Sequence, residues 1–481
     1  MISQTRNALI NALPVDTSYS GSAPPPEHLY VPPTHLKALR PECQLVVGTR
    51  GVGKSVWTAA LNDRALRRRL GSSIPQLDQA HIRIGFSERP EPNLYPDSET
   101  FTQLIHQGYD PFAVWRAVVI RWAVEFLDRN LPCASWKESV EWVASNPEEI
   151  AQAMSEVNEQ FSAEGVYGII LFDALDRLSS DWLIMDKIVR GLLRVALWLK
   201  PYACLSAKIF LREDQLERTV TDFPDASKLT ATKAELSWEP HDLHGLLWQY
   251  LLNGPGEHGN ILREIYTRKL GIEPLHDQDR YLPNDQVKRE TPAQRTLFES
   301  LAGPWMGRDR RRGVPYVWTV GHLADGQGRT SPRSFIAAIR QAGEDTSERY
   351  PEHHYALHFE SIKRGVQKAS EIRVSELAED YPWVRAVLDP LRGLTVPVAF
   401  EVISQRWTDY FPRGPEDANA GGRLPPQHAE KGWSGVRNDL LTVGVFEERK
   451  DGRIDMPDLY RVGFGLGRKG GVKPKNSGRS S

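Results

Sequence analysis

The octet Gly48-Thr49-Arg50-Gly51-Val52-Gly53-Lys54-Ser55 constrains this chain more than any other feature of it. It fits the pattern G-x-x-x-x-G-K-S/T. It stands between the apolar run CQLVVG (Cys43–Gly48) and KSVWTAALNDRALRRRL, a stretch of helical periodicity whose basic end suits a helix C-terminus. Average composition produces the four fixed positions by accident in about one or two of a hundred chains of this length. Each position has a chemical reason. Gly48, Gly51 and Gly53 let the backbone turn sharply and approach a polyphosphate without Cβ interference. The N–H groups then converge as a nest at the positive end of the following helix. Lys54 reaches β- and γ-phosphates, and the Ser55 hydroxyl ligates Mg²⁺. Thr49, Arg50 and Val52 complete the cradle; Arg50 either touches phosphate or a neighbour, or faces solvent. The expected ligands are ATP and Mg²⁺.

Such a loop needs a second metal anchor, normally an Asp closing a buried strand. The run YGIILFD places Asp173 directly after six apolar residues, at the strand end where open parallel sheets bind ligands. A carboxylate buried there is costly without a cation or donors, so Asp173 is assigned to Mg²⁺ or its bound water. Asp176 and Arg177 follow at once and either organise the site or cap their loop. Farther on, KIFLRED sets Arg212 at the end of another strand, near the γ-phosphate edge. There it senses nucleotide or anchors the core through an Arg–Glu pair. Arg333, in GQGRTSPRSFIAAIR, starts a helix and is placed to fold onto the nucleotide from a helical subdomain. Arg308, Arg310, Arg311 and Arg312 either complete a neighbour's site or are simply solvated.

The strand signals CQLVVG, HIRIGF, YGIILF, CLSAKIFL and KAELSW alternate with long helical patterns, which predicts an α/β fold with a parallel sheet covered on both faces. Five domains are expected. Residues 1–40 read as an irregular lead-in, and 41–255 as the P-loop core. Lys54 and Asp173 are 119 residues apart, long for adjacent strands, so about 100–162 reads as a helical insertion above the sheet. Within it, Asn146 with Pro147 and Glu149 marks a helix start. Residues 256–370 read as a helical subdomain. Residues 371–465 show three helical segments and then two extended ones around Asp451-Gly452, the order of a winged helix. Residues 466–481 form a basic flexible tail.

With 25% charged and 40% hydrophobic residues, the 481-residue chain has an ordinary globular composition. No run of eighteen apolar residues exists, so no membrane span is expected. The start, MISQTRNALINALPVDTSYS, lacks a secretory pattern. Three scattered cysteines fit a reducing compartment, and the expected location is cytoplasmic. A net charge of −2 gives no global attraction to nucleic acid. The tail, with Arg468, Lys469, Lys473, Lys475 and Arg479, either touches phosphates or is a solubilising end.

GTRGVGKS, IILFDALDR, IFLRED and TSPRSF together resemble the KAP and STAND branches of the P-loop ATPases, and more narrowly the bacterial Sll1717-like ATPases. AAA+ ATPases of replication initiators are a more distant comparison. The resemblance covers about 40–255 well and 256–345 loosely, and reaches 371–465 only as a domain order. It implies an ASCE/AAA+-like P-loop NTPase core and a Mg²⁺-dependent ATP-hydrolysing switch or motor. It also implies homo-oligomers and a role in bacterial defence against phage or plasmids, beside a protein effector such as a nuclease. One position departs. Relatives carry a second acid after the metal Asp to polarise the attacking water, and here that residue is Ala174. Asp176, Glu88 (just past HIRIGF) and, more weakly, Glu213 are the substitutes.

Two destinations for the switch stay open. In the first it acts on double-stranded DNA with low sequence specificity, through the helix near Trp433–Leu441, which offers only Arg437 and Asn438 as base readers. In the second the winged-helix region docks a protein effector and DNA is never touched. The acids Glu447, Glu448, Asp451, Asp455 and Asp458 favour that adaptor.

Overall fold

The computed structural model describes residues 2–16, 22–216, 219–418 and 424–474. By internal contact the chain forms two units. Val31–Ser237 belongs to one; the other takes Trp238 onward together with Glu27–Tyr30 and the N-terminal helix Ile2–Ala12.

All five strand signals of the first unit become strands: β1 (Leu45–Val47), β2 (His81–Phe86), β3 (Gly168–Phe172), β4 (Leu205–Leu211) and β5 (Ala234–Glu235). They pair in parallel in the order β2-β3-β4-β1-β5. Every residue of β1, β3 and β4 is buried, which is why these runs lack polar alternation. The 119-residue gap is filled by β2 and two crossovers, because the chain runs from β1 out to the edge strand β2 before it returns to β3. Crossovers between parallel strands are right-handed. The path from β1 out to β2 therefore puts the helices Lys54–Asn62 and Arg64–Gly71 on one face. The returning paths to β3 and β4 put theirs on the other.

The segment 100–162 differs from the expected insertion. Its helix Pro111–Phe126 is a core crossover helix. It packs along Trp182–Leu199, with Trp115 Nε1 donating to the Ile188 carbonyl at 3.0 Å and its ring 5.4 Å from that of Phe172. Another helix begins at Pro147 as expected, but Asn146 does not cap it; its amide donates to the Trp142 carbonyl at 2.8 Å. Among the described residues no helix is long and apolar enough to cross a membrane.

The second unit is mostly helical with small two-stranded sheets. The segments expected as separate subdomains at 256–370 and 371–465 fall in this single unit, and so does the helix Pro240–Leu252. Nothing breaks the chain near 370: one helix runs Phe359–Asp380 and stops before Pro382. The N-terminal residues are not irregular throughout, since Ile2–Ala12 is a helix. Its buried Arg6 donates to the carbonyls of Ala356 (3.1 Å) and Pro351 (3.1 Å). The hairpin at Asp451-Gly452 forms, pairing Glu447–Glu448 with Ile454–Asp455. The chain then turns into the helix Asp458–Phe464 rather than a long second strand. Gly467–Arg468 follows as a strand parallel to Thr395–Val396.

Candidate nucleotide site

The glycine loop leaves β1 between two neighbours that fix its start. The Gly48 N–H donates to the Leu211 carbonyl of β4 at 3.1 Å, and the Leu236 N–H donates to the Val47 carbonyl at 2.8 Å. A Cβ on Gly48 would stand 2.7 Å from Val52 and 3.2 Å from Leu236, so only glycine fits. Gly51 (φ 78°) and Gly53 (φ 109°) take left-handed backbone, and Gly53 is the N-cap of the helix Lys54–Asn62. A Cβ on Gly53 would meet nothing within 4 Å, which leaves open space where a ligand can approach the backbone. Val52 is buried, Thr49 and Arg50 are half-buried, and Ser55 is exposed.

Lys54 Nζ donates to the carbonyls of Gly48 (2.8 Å) and Thr49 (2.9 Å). Burial and the nearby Arg212 guanidinium push this ammonium down to about 8, opposed by Asp173, Asp176 and Asp214. The Ser55 side chain lies near the Asp173 carboxylate and favours its ionised form. Asp173 is 5% exposed, and its N–H donates to the Phe86 carbonyl at 3.0 Å. Burial raises its carboxyl, while Ser55 and Lys54 pull it back toward the ionised form. A hydroxyl and a carboxylate side by side are hard oxygen donors, the set Mg²⁺ takes alongside phosphate oxygens. The residues fit the metal and the nucleotide.

Arg212 leaves β4 into a buried cluster. Its Nε and Nη2 donate to Asp214 Oδ1 (3.2 Å) and Oδ2 (3.3 Å), and Nη1 lies 3.4 Å from Asp176 Oδ2. The carboxylate gripping it head-on is therefore Asp214, where the sequence offered core anchoring by an Arg–Glu pair. Sequence reasoning passed over Asp214, although the Arg-x-Asp spacing in LRED was its signal. Burial raises the Asp214 carboxyl, and Arg212 opposes that rise.

The structure brings Lys54, Ser55, Asp173, Asp176, Arg212 and Asp214 together. Glu88 stands beside this group, salt-bridged to Arg177 at 2.6 Å, with both side chains about half exposed. Ala174 sits between them with φ 56° and ψ 32°, left-handed backbone that is uncommon for a residue with a Cβ. Arg333 belongs to the other unit, in the first turn of the helix Pro332–Arg349, where it pairs with Glu376.

No family model and no curated protein matches the chain. Among solved structures the chain is similar to the Aeropyrum pernix ORC2 protein, described as ADPNP-ADP complexes. Identity is 12%, over 94% of this chain and 93% of that chain, with a TM-score of 0.32. A likeness so shallow carries neither function nor residue roles. The parallel sheet with surrounding helices and a C-terminal helical, small-sheet region is consistent with a generic P-loop NTPase-like architecture.

Proposed function

We propose that this chain is a P-loop NTPase of KAP/STAND-like type that binds ATP with Mg²⁺ and hydrolyses it slowly, as a switch. One observation carries the reading: the Lys54 ammonium, held by the loop's own Gly48 and Thr49 carbonyls, with the buried Asp173 carboxylate and Ser55 near it. Gly48–Ser55 would cradle the phosphates, and Ser55 with Asp173 would hold the metal, which neutralises phosphate charge when bound. Arg212, fixed by Asp214 and Asp176, is a cation aimed by its partners rather than a free surface arginine. Arg333 remains a proposed second sensor, and in the structure its guanidinium is engaged by Glu376.

Slow turnover follows from the bases. The position after Asp173 is Ala174, which accepts no proton. Asp176 is paired with Arg212 and Glu88 with Arg177, so neither meets an attacking water until its pair opens. Phosphate release measured with and without Mg²⁺ tests the reading. Asp173→Asn should abolish the Mg²⁺-dependent part while the protein still melts cooperatively; unchanged release would remove Asp173 from the site.

Assembly into homo-oligomers, an effector such as a nuclease, and a defence role rest on the resemblance alone. For DNA, two expected contacts are already engaged inside the second unit. Arg437 lies over the Phe400 ring at 4.8 Å. Arg468 is bound by the buried carboxylates of Asp455 and Asp458. Lys469 and Lys473 remain exposed, and Lys475 and Arg479 lie outside the described residues. These pairings favour the adaptor reading for the hairpin region, so a DNA-acting switch needs cations from elsewhere. ATP turnover with and without duplex separates the two: stimulation supports the DNA-acting form, and indifference supports the adaptor.

A further inference from the structure

The second unit carries one basic feature that its own fold does not use. Between the helices Pro292–Ala302 and Pro315–His322 the chain makes a closed knuckle. The Met306 N–H donates to the Gly313 carbonyl at 2.9 Å, closing its base, and the Met306 side chain is buried beneath it. Arg310–Arg312 is a single 3₁₀ turn with Asp309 at its N-cap, accepting from the Arg311 N–H at 2.8 Å. Two more backbone bonds, Arg312 N–H to Asp309 O and Gly313 N–H to Arg310 O, both at 3.2 Å, stiffen the tip. Gly307 and Gly313 bound the knuckle with φ of 153° and 96°.

Arg308, Arg310, Arg311 and Arg312 all project from this tip as exposed side chains. Among the described residues none of the four guanidiniums has an ion pair, and the one acid between them, Asp309, is exposed and caps the backbone. Four like charges in five residues repel one another and stabilise nothing in the fold. Their presentation on an ordered tip suits an external polyanion. Guanidinium forks match phosphate oxygens in paired hydrogen bonds. Several cations a few ångströms apart suit a polymer with one charge per phosphate rather than a single small anion.

We propose that the Arg308–Arg312 knuckle docks the phosphodiester backbone of nucleic acid without reading sequence. It extends the DNA-acting reading by giving it a surface, and it is independent of nucleotide binding at Lys54. The test is fluorescence anisotropy with labelled duplex and single-stranded oligonucleotides across a salt series. It compares the whole chain with a variant carrying Arg308→Gln, Arg310→Gln, Arg311→Gln and Arg312→Gln. Up to four lost phosphate contacts should flatten the slope of log affinity against log salt by about 2 to 4 units on duplex, and weaken binding at least tenfold. The melting temperature should not move, since the side chains are exposed. Equal affinity and slope in the variant overturn the proposal. If binding is instead lost with Lys469→Gln and Lys473→Gln alone, the knuckle is wrong while the DNA reading stands. If the unaltered chain binds neither oligonucleotide at low salt, both fall. Tighter binding of poly-glutamate than of the oligonucleotides, at matched charge and salt, would reassign the surface to an acidic protein.

Discussion

At the scale of single residues, the position after Asp173, the proposed metal carboxylate, bears on how an attacking water would be activated. Ala174 removes the acid expected there, and its left-handed backbone turns the chain at once into Leu175–Arg177. That turn carries Arg177 onto Glu88, at the end of the neighbouring strand β2. The Glu88–Arg177 pair is half exposed, so it is cheap to open. If Glu88 is the base, its pairing holds turnover down. Arg177→Ala should then raise steady-state phosphate release several-fold, and Glu88→Gln should lower it by about 100-fold or more. Phosphate release identical in both variants and the parent would hand the role to Asp176. Much of this was legible in the sequence, because a fixed octet and an Asp after six apolar residues are local signals. Asp214 was less visible: its role depends on Arg212 turning back on a residue two places along.

At the scale of elements, one buried cation shows how the sheet holds the loop's entry. Lys208 lies in the middle of β4 with no exposed surface. Its Nζ donates to the carbonyls of Ala38 (2.7 Å), Arg40 (2.9 Å) and Cys43 (2.7 Å). Those carbonyls belong to the segment that leads into β1. Lys208→Met keeps the apolar length but leaves three acceptors without their donor, at about 1–3 kcal/mol for each buried group. We expect a loss of about 3 kcal/mol or more in chemical denaturation. A loss below about 1 kcal/mol would show that water replaces the ammonium. All five strands were readable from the sequence, most clearly YGIILF as a continuous apolar run and least clearly KAELSW. Their order was not, since the insertion of β4 between β1 and β3 is a non-local pairing. The helix Pro111–Phe126 was misjudged for a related reason. Its sequence is helical whether it sits on the sheet or above it, and only its packing on Trp182–Leu199 tells which.

For the whole molecule, each unit holds a buried neutral histidine, and each of these contributes to its response to acid. In the first, Trp57 Nε1 donates to His35 Nδ1 at 3.1 Å, so Nε2 must carry the proton it gives to the Ser237 carbonyl at 2.9 Å. Burial lowers His35 to about 4. In the second, His244 donates through Nε2 to the Tyr316 carbonyl at 3.0 Å, stacks on the Tyr316 ring, and is lowered by burial to about 3. Between these values and the ordinary 6.5, the unfolded chain binds protons that the folded chain refuses. Stability is therefore full above about 6.5 and falls as the pH drops toward 4. Each histidine contributes about 1.4 kcal/mol per pH unit in that window. Melting of the parent at pH 7 and pH 5 should differ by several degrees, and a flat profile would contradict the buried neutral forms. Composition and periodicity ended the core near 255 rather than at Ser237, and gave no sight of the N-terminal helix joining the second unit. The helix Ile2–Ala12 and the segment after Ser237 join one unit across the whole length of the chain, and no local pattern encodes such a return.

Direct titration of ATP into the Mg²⁺-supplied protein, by calorimetry or a fluorescent analogue, probes the cradle itself. The parent should bind at micromolar concentration, and Lys54→Ala should weaken binding at least a hundredfold with its melting profile intact. Parent affinity should also decline as pH passes above about 8, where the Lys54 ammonium of the empty site loses its proton. A folded parent that takes up no ATP at millimolar concentration, or a Lys54→Ala variant that binds as the parent does, would contradict the nucleotide site.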